Sequence, residues 1–127
     1  MKIQSLIEDA CMQDWRQRIM IYHKAMLTAR SDFQLGREAD VAGVISQLTS
    51  RDYSERPIVP LSAPIPGATI GTSVYSYNIY LDDCYGYLGF VRNTSDSIWI
   101  VKSFKNNREP DPREVSPFAQ FKKSTGK

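Results

Sequence analysis

Three runs rich in β-branched and aromatic residues, 73–81, 85–93 and 97–105, follow one another with only short polar turns between them. Strands this close in sequence pair antiparallel, so the stretch predicts a β-meander. Asp82 and Asp83 are read as the first turn and residues 94–96 as the second. Any fold available to the chain must supply a cover for at least one face of that sheet.

The segment before the meander offers the cover. Apolar side chains recur at helical spacing from Ile3 through Leu6, Ala10, Trp15, Ile19, Tyr22 and Met26 to Ala29. This predicts one long amphipathic helix over residues 3–30, or two with a kink. Val41, Val44, Ile45 and Leu48 mark a second helix over 37–48. Between it and the meander, residues 57–72 carry Pro57, Pro60, Pro64, Pro66, Gly67 and Gly71. Proline lacks the N–H a ladder needs, so this segment reads as an extended loop or at best an edge strand. The expected architecture is α+β: two N-terminal helices packed on one face of a three- to four-stranded antiparallel sheet. One domain is expected over 1–106, followed by a polar, basic, weakly ordered tail over 107–127 in which Phe118 and Phe121 offer docking points.

Side chains alternate across a strand, so register decides which residues share a face. With Asn93 opposite Ser97, the residues Leu88, Phe90, Ile98, Ile100 and Phe104 face the helices, and Lys102 must snorkel from among them. Tyr85, Tyr87, Trp99, Val101, Ser103 and Lys105 then face outward. A slip of one residue mixes these sets. A first turn at Asp82 and Asp83 places Asn78 opposite Tyr87, with Ser76 and Tyr80 on the same outward face and Tyr75, Tyr77, Ile79 and Leu81 behind it. An outward face of tyrosine, tryptophan, small polar residues and lysine suits single-stranded nucleic acid, in which bases stack on rings and cations hold phosphate. The same residues are also ordinary strand formers on a face covered by the proline-rich segment or by a partner chain.

The chain's 127 residues and 42% hydrophobic content suffice for one core. No apolar run reaches membrane-spanning length, and the acidic start lacks the apolar stretch of an export signal, so a cytoplasmic location is expected. Cys11 and Cys84 are then expected as free thiols. His23 stands alone, no cysteine–histidine spacing suits zinc, and no glycine-rich phosphate loop or nucleophile elbow is present. These absences leave metal-free RNA cleavage open. In that reaction the substrate's own 2′-OH attacks, and the protein need only orient it, move protons and neutralise charge. No metal or cofactor is expected.

Four segments in order carry a resemblance: "DVAGVISQL", "SRDYSER", "YGYLGFV" and "IWIVKSFKNN". Over residues 26–106 they resemble the MqsR family, mRNA-cleaving toxins of toxin–antitoxin modules with a RelE-like fold. The resemblance implies catalytic roles for Tyr87 and Lys105, with Arg56 in place of a family lysine and Asn78 in place of a family glutamine. Lys105 and Arg56 would hold phosphate and Tyr87 would orient the 2′-OH or transfer a proton. Tyr85, Trp99 and Asn78 would contact RNA bases. It further implies an mRNA substrate and a neutralising antitoxin protein. The competing expectation is a non-catalytic module that uses the same face to bind a protein or RNA.

Overall fold

The computed structural model describes residues 2–93, 95 and 97–114. It is α+β: three helices lie against a mostly antiparallel sheet of six strands. The elements are α1 (Lys2–Ala10), β1 (Ile19–Ile21), α2 (His23–Phe33), α3 (Glu38–Ser46), β2 (Tyr53–Glu55), β3 (Val59–Pro60), β4 (Ser73–Tyr80), β5 (Tyr85–Arg92) and β6 (Trp99–Asn106). The sheet order is β1-β6-β5-β4-β2, and β3 also pairs with β4. Among the described residues no helix is long and apolar enough to cross a membrane. Residues 115–127, which include Phe118 and Phe121, lie outside the described residues, as do Thr94 and Asp96 of the expected second turn.

The first hairpin of the meander forms as its turn predicts, whereas in the second Arg92 lies opposite Trp99, so Asn93 meets Ile98 rather than Ser97. Leu81 and Cys84 exchange backbone hydrogen bonds around Asp82 and Asp83, and Asn78 lies opposite Tyr87. The helical segment is a correction. The stretch expected over 3–30 as one helix, or two with a kink, is interrupted by a strand: α1 stops at Ala10, Ile19–Ile21 is a strand, and α2 begins only at His23. Ile19 and Ile21 are buried and Met20 between them is exposed, which is strand alternation. That strand pairs parallel to β6, Ile19 with Trp99 and Ile21 with Val101. Arg18 holds the intervening turn through Asp14 and Asp9, at 2.9 and 3.3 Å. The strand count of three to four is corrected with it, because β1, β2 and β3 extend the meander on both sides.

The register between β5 and β6 is a second correction. Tyr87 pairs with Lys105 and Gly89 with Ser103, yet Phe90 pairs with Val101 and Arg92 with Trp99. Lys102 is therefore an extra residue, a β-bulge, and β6 changes face there. Phe90 and Phe104 face the helices as expected, and Tyr87 and Lys105 share the outward face. Trp99 and Ile100 exchange sides. Trp99 joins Phe90, Val101 and Phe104 in the main core, and Ile100 turns to the other face. The bulge has a clear energetic basis, since no unbroken strand could send both Trp99 and Phe104 into one core.

Ile100 is covered on that other face by residues from the proline-rich segment. Leu61 and Ala68 pack with Val74, Val91 and Ile100 into a second small core. Leu61 is tied back by bonds to Thr72 and Gly71. Gly67 has φ of +89°, and an added Cβ there would lie 2.8 Å from Ile100 Cδ1. Gly67→Ala should therefore lower stability by about 1–3 kcal/mol through combined strain and overpacking. Urea unfolding measures it, and an unchanged midpoint would show that the loop is not seated on Ile100.

Candidate functional site

The bulge and the loop divide the outward sheet face. One end lies beneath residues of the proline-rich segment, and the other presents polar side chains from four strands. On that end a row crosses the sheet: Asn78 on β4, Tyr87 on β5 and Lys105 on β6. Gly89 follows Tyr87 on the same face. An added Cβ there would come within 3.3 Å of Tyr87 Cε1, so the missing side chain gives the tyrosine ring its place. The ring lies toward β4, and Tyr87 Oη is 2.8 Å from Ser76 Oγ.

Two cations flank this ring. Lys105 Nζ is 5.5 Å from its centroid and Arg56 Cζ is 5.8 Å. Both distances fall within cation–π reach. Arg56 sits just past the end of β2, where its backbone N–H donates to Ser76 O at 2.9 Å. Its Nη1 donates to Asn78 Oδ1 at 3.2 Å and to Glu109 Oε1 at 2.8 Å. The hydrogen bond to Glu109 is the main cause that holds Arg56 further into its charged range. Arg56, Tyr87, Lys105 and Glu109 line one cavity of about 360 Å³ with Lys102, Ser103 and Asn107.

Glu109 belongs to a stretch that folds back along the sheet. Asn107 donates through Nδ2 to Asn78 Oδ1 at 2.8 Å and to Gly86 O at 3.0 Å. Arg113 donates to the carbonyls of Leu81 and Cys84, and its guanidinium lies 5.7 Å from the Tyr80 ring. The start of the expected tail is therefore docked across the edge of the site.

Of the six residues expected at the site, Tyr87, Lys105, Arg56 and Asn78 come together. Asn78 accepts from both Arg56 and Asn107, so it positions the arginine. Tyr85 is on the same face but stacks on Tyr80, with centroids 5.5 Å apart and planes 11° from parallel. One side of its ring is thus occupied. Burial first, and Tyr80 next, raise its phenol above the ordinary value. Trp99 is a correction: it is 1% exposed, on the helix side, edge-on to Phe90 at 5.4 Å. It cannot stack on a base, and the bulge is the reason. Cys11 and Cys84 are free thiols.

Three residues that line or border the candidate site escaped the sequence reading. Lys102 was expected to snorkel out of the core, and the bulge instead places it at the cavity wall with Lys105. Lys24 approaches from α2, and Glu109 from beyond β6. Pairing of strands signals none of these positions. A larger hollow of about 640 Å³ opens beside α2 and includes His23, Arg30 and Arg37. Its arginines are engaged locally: Arg37 pairs with Asp40, Arg30 donates to Gly36 O, and Arg16, which also lines it, lies over the Trp15 ring.

The sequence matches no protein-family model, and comparison with curated proteins and with solved structures returned no significant match.

Proposed function

We propose that the chain is a metal-independent endoribonuclease of RelE-like, MqsR-like type, acting on mRNA in the cytoplasm and held inactive by an antitoxin protein. The observation that carries this reading is the placement of Lys105 and Arg56 on either side of Tyr87, on an open sheet face with a cavity beside them. A helical layer on the opposite face and a meander bearing the site support the RelE-like comparison.

In the proposed reaction the ribose 2′-oxygen bonds to the adjacent phosphorus and the bond from phosphorus to the 5′-oxygen breaks. The 2′-OH loses its proton and the leaving 5′-oxygen gains one. Lys105 and Arg56 neutralise the charge that develops on the phosphate oxygens. Tyr87, held by Ser76, orients the 2′-OH or relays its proton. Arg56 must exchange Glu109 for phosphate, which a solvent-exposed carboxylate permits.

The purified protein should cleave single-stranded RNA in the presence of EDTA and leave 2′,3′-cyclic phosphate and 5′-hydroxyl ends. Mass spectrometry of the products checks it, and cleavage that vanishes with EDTA would remove the mechanism. A second reading has its own observation. Arg56 is already neutralised by Glu109, and the Tyr87 hydroxyl is already bonded to Ser76. A binding module would keep these contacts and retain RNA or a partner protein without cleavage. Salt-sensitive RNA binding with intact RNA recovered would favour it.

A further inference from the structure

The Tyr87 cavity continues into a second one. A hollow of about 320 Å³ lies between α2, β6 and the proline-rich segment. Lys102, Ser103 and Lys105 line both cavities, so these residues form a shared wall. Lys24 enters the second cavity from α2, while Ser62 and Pro64 line it from the loop.

Lys24, Lys102 and Lys105 thus gather around one space. Among the described residues no carboxylate forms an ion pair with any of the three. Two nearby acidic residues are otherwise engaged: Asp32 accepts from the Asn106 backbone, and Glu109 pairs with Arg56. Lys102 is half-buried because the bulge seats it in the sheet. Burial first, then the charges of Lys105 and Lys24, push its ammonium below the usual lysine range. A half-buried lysine repelled by two others is an unfavourable arrangement in the free protein. An anion in the cavity would relieve it.

We infer that Lys24, Lys102 and Lys105 form a second phosphate subsite, so that the groove takes a single-stranded RNA through consecutive phosphates. This rests on the reading of the Tyr87 site as an RNA site. One phosphate would lie between Arg56 and Lys105 beside Tyr87. The chain would then pass Ser103 and place a further phosphate between Lys102 and Lys24. The lining from Ser62 to Ile65 would border the connecting ribose. A mononucleotide or a dinucleotide fills only the first subsite, so affinity should rise steeply with length.

The test uses fluorescent 2′-O-methyl oligonucleotides, which bind without being cut. Anisotropy titrations compare a dinucleotide with an octanucleotide. The octanucleotide should bind the parent at least tenfold more tightly. Lys24→Ala and Lys102→Met should each weaken octanucleotide binding about fivefold to tenfold, and dinucleotide binding by much less. Each should reduce the slope of log affinity against log salt by about 0.7, the loss of one phosphate contact on a single strand. Lys24 is exposed, so its replacement keeps the test valid if Lys102→Met folds poorly. Octanucleotide affinity and salt slope unchanged in Lys24→Ala would overturn the subsite. A parent that shows the length dependence and the lysine sensitivity, yet cuts no RNA, would sink the nuclease reading and leave the subsite standing. A parent that binds neither oligonucleotide would overturn both.

Discussion

Lys105→Ala should fold like the parent and cleave RNA about a hundredfold more slowly. Lys105 is half-buried, its ammonium lies 5.5 Å from the centre of the Tyr87 ring, and it lines the cavity rather than the core. Among the described residues it has no ion pair to lose. Its loss should therefore change stability by no more than about 0.5 kcal/mol, as for most surface changes. A donor aimed at charge developing in the transition state is worth far more, about 3 kcal/mol or a hundredfold in rate. The ratio of rate loss to stability loss is the diagnostic. Single-turnover cleavage and urea unfolding, run on the same preparation, measure both. Expression without a partner gives a third readout, since growth inhibition should be relieved. Equal cleavage by variant and parent would remove Lys105 from the chemistry.

The neighbouring residue should behave in the opposite way. Phe104 is fully buried, and its ring lies edge-on to Phe33 at 5.0 Å. Its carbonyl also accepts a hydrogen bond from Thr28 Oγ at 2.7 Å, which pins α2 to β6. Phe104→Ala keeps that backbone bond but opens a cavity between α2 and the sheet. The expected loss is about 3–5 kcal/mol, a large share of the stability of a domain this size. Calorimetry or denaturant unfolding would register it as a fall in Tm or midpoint. Any loss of cleavage should follow the unfolded fraction and recover on cooling. A stability loss below about 1 kcal/mol would mean that β6 is not seated as described.

These two adjacent positions also show what strand alternation can and cannot reveal. Opposite sides for Phe104 and Lys105 follow from neighbouring positions alone, and Tyr87 shares a side with Lys105 in any register of the same parity. Asn78 opposite Tyr87 followed from the length of a turn built on Asp82 and Asp83. Trp99 and Ile100 were misplaced because a bulge is not a local property. It forms where burying two large rings outweighs one disrupted ladder step, and only the assembled core sets that balance. β1 was hidden for a related reason. Three residues, Ile-Met-Ile, fit a helical stripe and a strand equally well, and the partner that decides between them is β6. The contacts of Glu109 and Lys24 depend on how separate elements meet, which neither periodicity nor spacing encodes.

The parallel pairing of β1 with β6 has a consequence for the growing chain. Ile19–Ile21 is made well before its partner Trp99–Val101. Until then β1 is an unpaired segment between two helices, and closing so long a loop is an entropic cost met before the contact repays it. Completion of this sheet must wait for β6. That strand also carries Phe104 for the core and Lys105 for the candidate site. A polypeptide interrupted before β6 therefore lacks the assembled sheet and the candidate site together.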